Sequence, residues 1–406
     1  MDVHISFVST DDVGLFPIER PTIFLGVVAS LHSSPRKQKG SVMHITSGRI
    51  GMAFAATMAM VAPGTQAQPP TTTPSELVAR FDQVVNEGLP ARIELTLQGT
   101  RKKREAGRDS DTLVIESRLP ADIVFADGVH SEMFSGALGG KPVAMTRRDD
   151  HLDISIPKED GMHVIGFTTN DPVVERIRVA DTGLTGDPAV PLRRERREID
   201  TNNNIVNRTV TLNMFVHDDV MGYMTPEHVH AGYVAWWLDD ALRTTMPFTK
   251  IDVTYHSLIR GVTDIPYMHA KALIDWTRTA KRWAEEEDIA YEDTHLNKFM
   301  LITLLPPESK VTGIAWQEGN SAMSAISGRY RIVAHELGHL FGAVHENGAI
   351  QYKSGWWCES NMYPFAWAFR SNCYTYSDDN QRRMRAYIVE GTQWPDSPEG
   401  GPPVVN

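Results

Sequence analysis

The spacing of apolar positions changes period along the chain, and each change marks a boundary. Leu77, Phe81, Val84 and Val85 recur at helical spacing and predict a helix over Pro74–Glu87, behind a Pro/Thr/Gln stretch at 68–74. From residue 93 to about 167 the period falls to two. Short apolar/polar runs at 93–97, 112–115, 122–125, 152–156 and 163–167 are separated by charged or glycine-rich turns, so residues 68–190 read as a mainly β module. The basic run Arg101-Lys102-Lys103-Arg104 lies between two of these runs and reads as a solvated hairpin tip. A charged stretch at 191–198 and a polar one at 200–204 then interrupt the pattern as a linker.

Beyond the linker, residues 205–395 alternate between strand-like and helix-like patterns, which predicts an α/β (α+β) domain with a mixed sheet. Residues 209–216 form an apolar strand. Thr225 and Pro226 supply a cap and a first-turn proline for a helix that passes Trp236 and Leu242 and stops before Pro247. A strand at 251–258, a long helix at 268–287 and a buried strand at 299–305 follow. The short stretch Thr312-Gly313-Ile314-Ala315-Trp316 suits a sheet edge, residues 321–324 another strand, and Ser327 the cap of a further helix. Residues 396–406 read as a tail.

That further helix carries the chemistry: His335-Glu336-Leu337-Gly338-His339-Leu340-Phe341-Gly342-Ala343-Val344-His345. Residues four apart stand one turn above each other, so His335 and His339 can grip one ion, with Glu336 beside the first ligand. Six further helical residues would carry His345 about 9 Å along the axis from His339. Gly342 offers the left-handed conformation that ends a helix and turns the chain back. Three imidazoles leave one tetrahedral position open, which is the pattern of a catalytic rather than a structural zinc. A chance occurrence of the full spacing in such a chain is on the order of one in ten thousand.

The eleven residues resemble the signature of the metzincin zinc metalloendopeptidases. The resemblance implies one catalytic Zn2+ on His335, His339 and His345. It implies Glu336 as general base and a methionine-containing turn beneath the metal, for which Met362 is the candidate, followed by Tyr363. It further implies that an extended protein or peptide substrate adds to an exposed sheet edge, a role carried to Gly313, Ile314, Ala315 and Trp316. Subfamily cues conflict: Glu346 is similar to astacins, Met362-Tyr363-Pro364 to matrixins, and the stretch around Cys373 to reprolysins. The resemblance covers residues 205–391 and leaves the first module unassigned.

Composition narrows the partners. The chain has 406 residues, 22% charged and 41% apolar, with a formal net charge of −11, which argues against nucleic acid. No apolar run is long enough for a permanent membrane span, and a monomer is expected. Residues 1–42 show no periodicity. Met43 opens an export signal over 43–67: Arg49, an apolar run at 50–62, and Thr65-Gln66-Ala67 before Gln68. Secretion, extracellular or periplasmic, fits the two cysteines, Cys358 and Cys373, which in an oxidising compartment close a loop by a disulfide. No Asp-x-Asp-x-Asp-Gly loop indicates calcium, although backbone ligation leaves calcium possible. Two dibasic pairs in the linker leave two readings of the β module open, a removable propeptide of a zymogen and a permanent domain. Two alternatives to the enzyme reading are a catalytically inactive zinc-binding or adhesion protein, and a thermolysin-like site with a downstream glutamate such as Glu359.

Overall fold

Thr73 starts the first helix by reciprocal capping: its hydroxyl accepts from the Glu76 amide at 3.2 Å, and its own amide donates to the Glu76 carboxylate at 2.8 Å. The structure, a computed structural model, describes residues 73–95, 112–170, 175–180, 208–291, 295–307, 311–353, 356–364 and 370–391, and all of these fall in one compact unit. The export signal, the basic run at 101–104, the linker at 191–204 and the tail lie outside the described residues.

Helix α1 (Pro74–Glu87) is followed by β1 (Ala91–Glu94), β2 (Thr112–Val124), β3 (His130–Leu138), β4 (Lys141–Arg148), β5 (His151–Lys158), β6 (Gly161–Thr168) and β7 (Glu175–Ala180). Then come β8 (Arg208–Val216), α2 (Pro226–Val229), α3 (Ala235–Asp240), β9 (Thr249–Ser257), α4 (Ala272–Glu286), β10 (Asn297–Thr303), β11 (Gly313–Ala315) and β12 (Ser321–Ala325). The chain ends in α5 (Ile332–Leu340), β13 (Ile350–Lys353), β14 (Trp356–Glu359), β15 (Ser371–Asn372) and α6 (Asp378–Glu390).

Among the described residues one mixed sheet of 12 strands runs β11-β12-β10-β8-β9-β2-β3-β4-β5-β6-β7, with β1 paired to β2. Strands β10, β8 and β9 are parallel, and β9 continues parallel into β2, where Ala121–Val124 sits opposite Ile251–Thr254. The first module and the second α/β part therefore share one sheet.

The middle strands of the first module, β3 to β6, are covered on both faces. On one face α1 buries Leu77, Val78, Phe81 and Val84 against Phe134, Val143, Met145 and Ile154. On the other, Met133, Ala144, Met162 and Val164 join the core formed by α3 and α5. Two-sided burial explains why β3 and β4 show no clean alternation in sequence. The expected runs at 112–115 and 122–125 are the two ends of the single strand β2, broken by register shifts near Ser117 and Arg118.

Three other expectations are adjusted. The helix expected to begin at Thr225 does begin there with a Thr225 cap, but π-helical turns at His230–Val234 and Ala241–Thr245 divide it. The helix expected from residue 268 starts at Ala272. Ser327 does not cap α5. Its amide donates to Leu304 O, prolonging the exit from the sheet, and the cap position falls to Arg331, whose side chain serves an ion pair described below. No helix among the described residues is long and apolar enough to cross a membrane.

Candidate metal centre

Helix α5 is buried along its whole length, which is why its sequence shows weak amphipathic contrast. Val333, Ala334, Leu337 and Leu340 enter the large core. His335 and His339 lie on the same side of this helix. Gly342 has φ +88°, in the left-handed region, and Ala343 N–H returns to Gly338 O at 2.9 Å. The chain turns back and delivers His345 to the other two.

The three imidazoles form the one group of potential metal ligands among the described residues, with one ligand atom from each within 4.8 Å of the others. Nε2 of His345 lies 2.8 Å from Nε2 of His335 and 3.1 Å from Nε2 of His339. The tautomers follow from the partners on the far side of the rings. His335 Nδ1 faces Asn361 O at 2.8 Å, and His339 Nδ1 faces Ala343 O at 3.1 Å and the Gln317 Oε1 at 3.0 Å. These oxygens can only accept, so both Nδ1 atoms carry the proton. Both Nε2 lone pairs then point at the same spot, where a single N–H from His345 can satisfy only one. A cation resolves this frustration, and hydrogen-bonded imidazoles of this kind are what metal ligation requires. Burial and the two neighbouring histidines push His335 well below its usual range, so it is held in the neutral, lone-pair-bearing form.

Glu336 is fully buried, and neither of its carboxylate oxygens has a hydrogen-bond partner among the described residues. Desolvation pushes its carboxyl well above the usual carboxylate value. A buried carboxylate without a partner among the described residues, beside three converging imidazole nitrogens, is unstable as packing and intelligible as chemistry. It lies against the sheet edge: a Cβ on Gly313 would come within 2.4 Å of Glu336 Oε1. Along β11, Ile314 joins the core around α4, while Ala315 joins the core under α5. The Trp316 indole donates to Thr277 Oγ1 of α4 at 2.7 Å, so it is anchored on the far side of the sheet.

Met362 is fully buried under α5, and a Cβ on Gly338 would sit 2.5 Å from its sulfur. The missing side chain at Gly338 is what lets the methionine and the Tyr376 ring approach the helix. Tyr363 follows with its ring 6.0 Å from the Arg370 guanidinium, and its carbonyl accepts from Arg331 at 3.4 Å. Residues 365–369, including the aromatics Phe365, Trp367 and Phe369, lie outside the described residues. Cys358 and Cys373 form a disulfide with Cα atoms 5.0 Å apart, joining β14 to the residue after β15. Glu359, the alternative ligand, faces elsewhere: it pairs with Arg331 at 3.0 Å and Arg370 at 3.8 Å.

The chain is similar in fold to metalloproteinase-II from Bacteroides fragilis, with a TM-score of 0.51 and 14% sequence identity over 76% of this chain and 95% of that one. No family model matches the chain, and no curated protein matches it. At that identity the likeness concerns the fold, a mixed α+β arrangement with a large mixed sheet.

Two parts of the site were not foreseen from sequence. Asn380 of α6, fully buried, accepts from Val344 N–H at 2.9 Å and donates to Val344 O at 3.0 Å, so it fixes the residue before His345. Gln317 accepts the hydrogen bond of His339 Nδ1–H and also donates to Ala343 O at 3.2 Å. Neither stands at a fixed spacing from the histidines, and no periodicity marks them.

Proposed function

We propose that this chain is a secreted zinc-dependent endopeptidase of metzincin type that hydrolyses peptide bonds of protein or peptide substrates. The observation that carries the reading is the convergence of three imidazole Nε2 atoms beside a buried carboxylate that has no hydrogen-bond partner among the described residues. His335, His339 and His345 would hold the ion. Zinc there would supply Lewis acidity toward both water and a substrate carbonyl.

The other roles belong to the chain. Glu336 accepts a proton from the attacking water at a carboxylate oxygen and returns it to the leaving amine. Asn361 O, Ala343 O and Gln317 keep the imidazoles oriented. An extended substrate adds beside Gly313–Ala315, the outermost strand of the sheet, where main-chain hydrogen bonds supply affinity without selecting side chains. The bare Gly313 leaves room for Glu336 at the place where a scissile bond would pass. Met362 forms an apolar floor, and Tyr363, held against Arg370, belongs to the wall.

The test is direct. Purified chain should bind one equivalent of zinc and cleave casein in a chelator-sensitive way. Full metal binding without cleavage of any protein substrate would instead support the inactive binding-protein reading, and no metal binding would end both.

A further inference from the structure

Lys298 sits on β10, the third strand from one edge of the sheet, and is 1% exposed. Its ammonium lies 5.2 Å from the Phe341 ring centre and 4.8 Å from that of Tyr387. Burial pushes it well below the usual lysine value, opposed by the Glu318 carboxylate nearby. A charged group in such a place is costly unless its hydrogen bonds are well used. Here they converge on one short turn.

Nζ donates to Gly319 O at 2.7 Å and to the Tyr387 hydroxyl at 3.0 Å, and that hydroxyl donates to Glu318 O at 2.9 Å. Two consecutive carbonyls of the 317–319 turn are thus held from beneath. The turn needs holding, because Glu318 has φ +57°, a left-handed conformation unfavourable for a residue with a side chain. On its other side the turn meets the metal helix. Glu318 N–H donates to His339 O at 2.9 Å, and the Gln317 Oε1 accepts the hydrogen bond of His339 Nδ1–H at 3.0 Å. Arg383, 3.7 Å from the Glu318 carboxylate, donates from Nε to Gly342 O at 2.8 Å and closes the network around the same helix end.

We infer that Lys298 is a positioning residue for the metal centre: by gripping the 317–319 turn it fixes the Gln317 carboxamide against His339 and so sets that ligand's orientation. The inference rests on the three histidines being metal ligands. It separates Lys298 from a core residue that merely fills space, because its effect has to pass through Gln317.

Zinc affinity, measured by competition with a chromophoric chelator, tests this in the parent chain, Lys298→Met, Gln317→Leu and the double variant. Unfolding of each metal-free protein is recorded alongside. Loss of a partner behind a metal ligand weakens metal binding by about 10- to 100-fold. Gln317→Leu should show that loss and Lys298→Met a similar one, while the double variant should bind no more weakly than Gln317→Leu alone, since the two act in series. Parental affinity in Lys298→Met, or losses that multiply in the double variant, overturns the inference. If Lys298→Met does not fold, Tyr387→Phe replaces it. That variant keeps the ring and removes the hydroxyl between Lys298 and Glu318, and it should weaken zinc several-fold; parental affinity there overturns the inference equally. A parent chain without zinc binding removes the metal reading itself, whereas a parent that binds while its variants match it removes only the role of Lys298.

Discussion

His230 and the histidines of helix α5 are both buried, and they are accommodated in opposite ways. At the seam where β2 of the first module meets β9, His230 is 1% exposed. Its Nε2 lies 3.1 Å from Thr146 Oγ1 and its Nδ1 2.9 Å from the Tyr255 hydroxyl. Hydroxyls donate or accept as needed, so a neutral imidazole is fully satisfied there. Phe125 and Tyr255 meet its ring edge-on. At the metal centre two imidazoles spend their protons on oxygens that only accept, and three Nε2 atoms are left facing one another. Burial is common to both regions. What separates the two is the kind of partner behind the ring.

The sharpest way to break the comparison is to remove the group that makes one region chemical. Glu336→Ala should retain zinc and lose activity by about 10²- to 10⁴-fold, measured as kcat/KM on a fluorogenic peptide. Its unfolding midpoint should not fall, because the wild-type carboxylate is buried without a partner. A variant as active as the parent would show that the carboxylate beside His335 is as structural as the hydroxyls beside His230.

Reducing the Cys358–Cys373 disulfide comes next. It closes a loop of 15 residues around the segment carrying Met362, and opening such a loop costs roughly 3 kcal/mol in the chain-entropy account. Denaturant unfolding with and without reductant measures it. The seam should not notice: the fluorescence signature of its packing should persist in the reduced protein until the global transition.

The three-histidine cluster was legible because its parts are contiguous. Spacing four places two histidines on one helical face, and Gly342 supplies the reversal, so eleven residues describe the cluster without knowledge of the fold. The disulfide was legible because only two cysteines exist. The seam was not, since Ala121–Val124 and Ile251–Thr254 are partners separated by the whole first module and the linker. Strand β2 looked like two short runs because its register shifts interrupt the alternation. The second layer behind the ligands was hidden for a related reason. Gln317, Asn380 and Lys298 are ordinary polar residues until the sheet and α6 bring them behind the metal helix. The expected cap at Ser327 failed because the chain is still leaving the sheet there, and the helix starts only at Ile332 behind Arg331.

A pH series sharpens the contrast from the seam's side. Burial pushes His230 from 6.5 down to about 3 in the folded chain. Between those values the unfolded chain takes up the proton that the folded one refuses, so this residue's contribution is complete above pH 6.5 and declines as pH falls. The slope is about 1.4 kcal/mol per pH unit, or roughly 2 kcal/mol by pH 5. His230→Gln should therefore lose less stability than the parent between pH 7 and pH 5, by about that amount. Equal losses would mean that His230 is accessible to protons and that the seam opens.

The smallest effect asks whether the two regions fold as one. Tyr374, the residue after Cys373, is buried with its ring between Trp236 and Tyr330. Its hydroxyl reaches the carbonyls of Lys158 and Gly161 at the β5–β6 turn, so the disulfide-bonded segment is tied directly to the first module. Tyr374→Phe keeps the rings packed and deletes that tie, at a cost of about 1 kcal/mol. Because the two parts share one sheet and one core, urea unfolding followed by tryptophan fluorescence and by zinc release should give coincident transitions, both shifted by that amount, with kcat unchanged within twofold. Zinc release that precedes the fluorescence change in the variant but not in the parent would show that the shared sheet does not make the halves cooperative, and that the metal centre depends on this single hydroxyl more than on the strands between them.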